Sequence, residues 1–587
     1  MTEHGSAVHV VRVKSSHVNK HGERSDYVHS YLRRSWREGA QVHKETIANL
    51  SVLPDHVIVS IIAGLHGQQL VPADAHATVV RSLPHGHVAA VWAQTQTLGL
   101  PALLGPACPA RDLVLALIIA RICKPGSKLA TTRWWQETTL AADLGITAAG
   151  TDDVYAAMDW LAGRQEDIEK KLATKHLGED VNPDRLALFD LSSSWVTGSH
   201  CELAARGYSR DGKKGLPQIE YGLLTDPDGR PVAIRVVPGN TADPTAFKQI
   251  AIEMKTTFGV DEMVMVGDRG MITSARIEQL KELGGLGWVT ALRSVSIAGL
   301  IADGSVQQSL FDEANLAEIS HPDYPGERLI ACRNPALADK RAYKRQELLT
   351  ATEADLTLAA NAVTAGRLKK AGPIGVRVGK VLGKHNMAKH FQLTIDDGVF
   401  TFTRNQENIA KEAALDGIYV IRTSIPETQM DTATVVGTYK SLAHVERDFR
   451  SIKAIDLDLR PIYHWTDTRV RAHVFLCMLS AYLVWHLRKA WAPLTFTDEQ
   501  RPDLVDPVAP AKRSTAAQVK ASTHADADSQ PVRSFTGLLD HLATLTRNDI
   551  RYGADPHTPI IPTLAIPTTT QRRAFELLGQ PIPIGLK

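Results

Sequence analysis

Three acidic residues carry most of the chemical information in this chain. Asp190 lies in an apolar run, RLALFDL, at residues 185–191. Asp268 closes a second apolar run, MVMVGD, at 263–268. Glu446 lies in YKSLAHVERDFRSIK, at 439–453. Steps of three, four and seven residues bring Tyr439, Leu442, Glu446, Arg450 and Lys453 onto one helical face. One carboxylate, one phenol and two cations make a poor core stripe. They suit a metal-binding acid with phosphate-binding groups a turn or two away, Lys453 lying about 10 Å beyond Glu446 along the axis. Taken alone, a surface helix with i,i+4 charge pairs accounts for the stretch as well. Carboxylates at strand ends are costly to bury unless a positive charge neutralises them. Two of them brought together, with a third acid, suit hard divalent cations with oxygen ligands, Mg²⁺ or Mn²⁺. A pair of such ions about 3.5–4 Å apart can assist both the attacking and the leaving oxygen of a phosphodiester.

The elements that must position these acids can be read from the same sequence. After Asn182-Pro183, strands are expected at 185–191, 218–225 and 231–237, the last two joined by a turn at Asp226-Pro227-Asp228-Gly229. A helix over 243–257, a strand at 263–268, a helix over 273–283 and a strand at 287–293 follow. Antiparallel strands followed by βαβ crossovers give a mixed sheet flanked by helices. If the first and fourth of these strands are neighbours, Asp190 and Asp268 meet.

The remaining chain frames that sheet. Residues 1–105 read as a β-rich and loop region, with short strands before residue 50 and surface histidines at His85 and His87. Residues 106–180 are helical, with Ser127 as an N-cap after a Lys-Pro-Gly stop and with Arg133, Trp134 and Trp135 on the following helix. A DNA-binding bundle and a packing domain both fit this region. Residues 181–293 and 411–490 form the two parts of the sheet domain, separated by an insertion at 294–410. Residues 491–533 read as a linker, and 534–587 as a terminal helix and tail.

Composition bounds the partners. With 587 residues, 44% of them hydrophobic, 22% charged and a net charge of +2, the chain has sizeable cores and no bulk attraction to nucleic acid. DNA affinity must come from patches such as Arg206, Arg210, Lys213 and Lys214 around Asp211; a solvated loop is the alternative there. The five cysteines form no CxxC pair, so neither a zinc ribbon nor a disulfide framework is expected, and a reducing cytoplasm is. The apolar runs at 113–120 and 474–485 are too short to span a bilayer, so no membrane partner is expected.

The layout resembles the RNase H-like catalytic domain of DDE transposases from bacterial insertion sequences. The 439–453 stretch resembles the Tyr-Arg-Glu-Lys signature of one group of them, Y-(2)-R-(3)-E-(6)-K: Tyr439, Glu446 and Lys453 match, and Leu442 stands where that pattern has Arg. Arg447 and Arg450 are the neighbouring cations that could replace it. FDLSSSW around Asp190, VGDRGM around Asp268, RGYSRDGKKG at 206–215 and GNTADP at 239–244 are similar too.

The resemblance implies a five-stranded RNase H-like mixed sheet, with a domain inserted before the catalytic Glu. It implies Asp190, Asp268 and Glu446 as catalytic residues and ligands of two Mg²⁺ or Mn²⁺ ions. Tyr439, Arg450, Lys453, Arg210, Lys213 and Lys214 would then contact DNA. The partners implied are the terminal inverted repeats and target DNA, read chiefly by the N-terminal 180 residues, with at least a homodimer to pair two ends in the nucleoid. Another RNase H-like metal nuclease of resolvase type, or an inactive transposase-derived DNA-binding protein, are the competing readings.

Overall fold

The computed structural model describes residues 7–18, 20, 24–38, 41–67, 77–177, 186–198, 200–213, 215–241, 252–253, 263–270, 272–502, 506–526, 529–553 and 556–587. Two compact units divide the chain: Met1–Ser82 with Arg547–Thr563, and Leu83–Thr546 with Leu564–Lys587. The first contains a three-stranded antiparallel sheet of Ala7–Val18, Arg24–Glu38 and Gln41–Asn49. Those strands are long where short ones were expected.

The second unit is built on a mixed sheet of eight strands. In chain order they are β1 (Leu186–Trp195), β2 (Gln218–Thr225), β3 (Pro231–Pro238), β4 (Met263–Val266), β5 (Leu286–Ala291), β6 (Leu316–Ile319), β7 (Arg328–Arg333) and β8 (Ile418–Thr423). Their spatial order is β6-β7-β8-β5-β4-β1-β2-β3. β1, β2 and β3 form an antiparallel meander, while β4 and β5 run parallel to β1. The turn between β2 and β3 falls on the expected Asp-Pro-Asp-Gly. Gly229 donates its N–H to Asp226 O at 3.0 Å and takes φ 82°, a conformation that favours glycine.

A five-stranded sheet was expected, and the sheet has eight strands. β8 pairs antiparallel with β5, β7 with β8, and β6 with β7, so three strands extend the sheet beyond β5. Two of these, β6 and β7, come from the stretch read as an insertion. The rest of that stretch has its own small core: helices Pro335–Thr364 and Ala371–His385 close on the hairpin Phe391–Asp396 and Val399–Arg404 through Leu356, Ile374, Val378 and Phe400. The expected helix over 243–257 lies outside the described residues, apart from residues 252–253.

One face of the sheet is covered by the helix Asp467–Ala490, which packs on β3 and on the helices Pro109–Cys123 and Thr151–Ala162. It is long and apolar enough to cross a membrane by length and composition, but 83% of its apolar window is buried inside the protein, so it serves as a core helix. The helical region shares this core: Val114, Ile118, Trp135 and Val154 are all 0% exposed. Glu169 on the helix Gln165–Leu177 fastens it to β3, accepting the Ile234 N–H at 3.0 Å and pairing with the Arg235 guanidinium. Ser127 caps its helix as expected, taking the Ala130 N–H at 3.1 Å.

Two expectations change on packing grounds. His85 and His87 are buried, not on the surface: His85 bonds Thr139 and the Pro583 carbonyl, each at 2.8 Å, and His87 sets its ring against Trp134. The 491–533 segment carries Trp491 and Val508, both 0% exposed, and a capped helix Thr515–Thr523, so its apolar residues hold it to the core where a linker was expected.

Candidate active site

Strand register brings the first two acids together. β1 and β4 pair in parallel, with Leu186 opposite Val264 and Leu188 opposite Val266. Asp190 and Asp268 each lie two residues beyond that last pair, so they stand level: Asp268 just past the carboxyl end of β4, and Asp190 inside β1, which runs on to Trp195 where a strand ending at 191 was expected. Neighbouring strands are about 4.8 Å apart. The carboxyl edge of parallel strands is where open α/β sheets place their ligands. Asp190 accepts the Leu191 N–H at 2.8 Å, and Asp268 accepts the Gly270 N–H at 2.9 Å.

The third acid arrives on the helix Leu442–Arg450, which follows Thr432–Lys440 across a one-residue break at Ser441. Val445 and Phe449 seat this helix on the core, with Phe449 edge-on to Tyr221 of β2. That seating turns Glu446 outward into a cavity of about 340 Å³ lined by Asp190, Asp268, Glu446, Tyr439, Lys440 and Leu442, among others. An adjoining cavity of about 330 Å³ shares Asp268, Glu446 and Tyr439 and adds Arg269 and Arg341.

The electrostatics bear the marks of three converging acids. The Asp190 carboxyl is raised from 3.8 to about 7, chiefly by burial and then by the negative charge of Asp268, with a smaller push from Glu446, against the Leu191 N–H and the nearby Arg210, which pull it down. Burial, with the charges of Asp268 and Glu446 and against that of Arg269, raises the Tyr439 phenol to about 12. Among the described residues, no three His, Cys, Asp or Glu side chains lie close enough together to hold a metal ion by themselves. The donor chemistry nonetheless fits one. Carboxylate oxygens are the ligands hard divalent cations take, and a cation among these three acids would offset both the burial and the neighbouring charge that hold Asp190 up.

The other sequence-derived residues divide. Tyr439 and Leu442 line the acid cavity; Arg450 lines a different one, and so does Arg447. Lys453 also departs from the expected face, because residues 451–455 form a π-helical turn. A wider turn takes up more residues, so seven residues no longer return to the same side. Its ammonium donates to Asp211 Oδ1 at 2.9 Å, and Arg460 pairs with the same oxygen. The Asp211 side chain is 3% exposed and that of Lys453 11%. Lys453 therefore ties the end of the helix to the 206–215 loop.

That loop holds two more candidates. Arg210 donates its backbone N–H to Ser193 of β1 at 3.0 Å and sets its guanidinium 3.7 Å from Glu220 of β2. Lys213 is exposed and lies over the Trp195 ring at 5.6 Å, with Arg460 over that ring at 5.1 Å. Lys214 lies outside the described residues. The glycines of the two quoted loop motifs turn out to touch: a Cβ on Gly207 would come 1.9 Å from Gly239 O, and one on Gly239 would come 1.8 Å from Gln218 O. Of the N-terminal residues singled out for DNA, Arg133 is exposed, Trp134 half-buried and Trp135 fully buried.

Lys440, Tyr419 and Arg460 were missed as site residues; Arg269, expected from its place after Asp268 to serve packing or structural pairing, lines the adjoining cavity. Lys440 had one signal, its position beside Tyr439; it donates to Ala509 O at 2.8 Å. Tyr419 enters from β8, and Arg460 follows the signature stretch by seven residues but reaches Asp211 only in the folded chain.

Comparison with known proteins gives a family. The family described as "Transposase DDE domain" matches residues 184–483. No curated protein sequence matches the chain. Among solved structures, the cryo-EM piggyBac transposase synaptic complex with hairpin DNA is similar at 8% identity and a TM-score of 0.31, with 78% of this chain and 76% of that chain covered.

Proposed function

This chain belongs to the transposase DDE domain family, and from that premise we propose that it is the DNA transposase of a bacterial insertion sequence, with Asp190, Asp268 and Glu446 as its catalytic acids. The observation that carries this reading is the parallel register of β1 and β4, which sets Asp190 and Asp268 level beside the cavity that Glu446 enters. The strand order β3-β2-β1-β4-β5 supports an RNase H-like reading of the central five strands. Tyr439, Glu446 and Lys453 support membership of the group with the Tyr-Arg-Glu-Lys signature, with Leu442 as its departure.

Asp190, Asp268 and Glu446 would hold the divalent ions, Mg²⁺ or Mn²⁺, with Asp190 losing its proton as they bind. Such ions supply charge neutralisation at the scissile phosphate. Water attacks phosphorus at an element end; a phosphorus–oxygen bond forms, the bond to the 3′ oxygen breaks, and that oxygen leaves with a proton as a free 3′ hydroxyl. The hydroxyl then attacks a target phosphodiester, so one phosphodiester bond forms as another breaks. The Tyr439 phenol, kept protonated by burial, stays a hydrogen-bond donor to a phosphate oxygen. Arg210 and Lys213 lie beside this edge of the sheet, where backbone phosphates would run. Pairing two ends calls for at least two copies of the chain on DNA.

Asp190→Ala, Asp268→Ala and Glu446→Ala should each abolish Mg²⁺-dependent cleavage of DNA carrying the inverted repeats that flank the gene, and leave its binding largely intact. Substantial cleavage by one variant removes that residue from the set; cleavage by all three overturns the reading. Joining of the cleaved end to target DNA separates a transposase from a nuclease.

A further inference from the structure

The helix that turns Glu446 into the acid cavity turns Arg447 and Arg450 into another. This second cavity, about 610 Å³, shares no lining residue with the acid cavity and is also lined by Arg488 and Lys489 at the end of the core helix. Three carboxylates are present, one fewer than the cations. Asp456 is taken by Arg488, through bonds of 2.8 and 2.7 Å. Asp448 has a buried Oδ2 with no hydrogen-bond partner. Asp228 is exposed at the turn between β2 and β3. Arg447, Arg450 and Lys489 form no ion pair among the described residues; Arg450 reaches only the Glu446 carbonyl at 3.4 Å, and Lys489 lies over the Trp485 ring at 5.1 Å. Arg447 feels the opposing charge of Asp448 and the like charges of Arg501, Arg488 and Arg450. Four cations thus meet three carboxylates, one of them held by Arg488, and the excess positive charge, on the exposed Arg450 and Lys489 above all, calls for an anion from outside the chain.

We propose that this second cavity binds backbone phosphates of the DNA on which the acid cavity acts, as a phosphate-binding groove separate from the three acids. The inference rests on the proposed function. Arg450 lies one turn, about 6 Å, beyond Glu446 along the helix, a distance that spans about two nucleotide steps of duplex. A strand engaged at the acids therefore reaches these cations without a sharp bend. Phosphate contacts of this kind fix register and orientation and carry no sequence information.

The test uses the full-length protein and a duplex of about 40 base pairs of arbitrary sequence, with its dissociation constant measured across a salt series. Arg447→Gln and Lys489→Gln should each reduce the slope of log Kd against log salt by about one, and the double variant by about two. Arg447→Lys should keep the wild-type slope, since charge is preserved and both side chains are exposed. An unchanged slope in the double variant overturns the proposal, as does a wild-type chain that binds no DNA. A wild type that binds DNA with the expected slope losses but neither cleaves nor joins ends would overturn the proposed catalytic function and leave the groove standing.

Discussion

The convergence of three acids should be measurable without any DNA, through Asp190→Asn. In the folded, metal-free chain Asp190 titrates near 7, against an ordinary value of 3.8, because it is buried beside Asp268 and Glu446. The folded state thus holds a proton on this group that the unfolded state has released, across the window between those values. Stability therefore falls as pH rises through that window, and the cost is complete above about 7 and absent below about 4. At 1.36 kcal/mol per pH unit the full cost is about 4 kcal/mol. Asparagine keeps the shape and an oxygen for the Leu191 N–H but never ionises. Urea denaturation in EDTA at about pH 5 and about pH 8 should then show the variant gaining on wild type by about 3 kcal/mol between the two. Mg²⁺ at the higher pH should stabilise wild type and leave the variant unmoved, because a ligand that binds only the folded state adds to its stability. A variant no more stable than wild type at the higher pH would refute the reasoning: Asp190 would then feel neither burial nor its neighbours, and the acids would not share one site.

Two further outcomes follow from contacts around that site. Asp211→Asn leaves the half-buried Lys453 and Arg460 without their shared carboxylate and should cost about 3–5 kcal/mol, and a cycle with Lys453→Met should give a coupling of about 1–3 kcal/mol in urea unfolding. Additive losses would mean that the pair does not hold the loop. Gly239→Ala would place a methyl 1.8 Å from the Gln218 carbonyl, so the backbone at residue 239 must move off the start of β2. We expect a loss of more than about 3 kcal/mol and a fall in DNA cleavage; a variant of wild-type stability would show that residue 239 can move off β2 freely.

The central strands were legible because each carries its own signal. LALFDL, QIEYGLLT, PVAIRVV and MVMV are apolar runs of strand length, and the intervening Asp-Pro-Asp-Gly has the chemistry of a tight turn. Asp190 and Asp268 stood out for the same reason, as charges in or just after buried runs, and Glu446 by its helical spacing from Tyr439. What no local signal carries is pairing across distance. β7 meets β8 with Arg328 opposite Thr423, across a helical subdomain, and β6 is only four residues long and half-buried. A strand that short contributes too few alternating positions to stand out from a loop, and its partner is fixed by the whole sheet. The level placement of Asp190 and Asp268 has the same origin. It is a property of the β1–β4 register, which neither strand encodes alone.

The signature stretch shows where spacing arguments stop. From Tyr439 to Glu446 the seven-residue step works, because the break at Ser441 preserves the helical phase, and Tyr439, Leu442 and Glu446 face one cavity. Seven residues further the same step fails. The helix widens into a π-turn at 451–455, Ile452 goes into the core at 0% exposure, and Lys453 swings to Asp211. The polypeptide then leaves through Asp458, at φ 41°, toward Arg460, which meets the same carboxylate. A single α-helical period from 439 to 453 would have put Lys453 beside Glu446's neighbours and left Asp211 buried with Arg460 alone. The sequence does contain the acid that draws the lysine away, but 242 positions upstream and in a loop. Only the sheet, which brings that loop across the end of the helix, makes the two a pair.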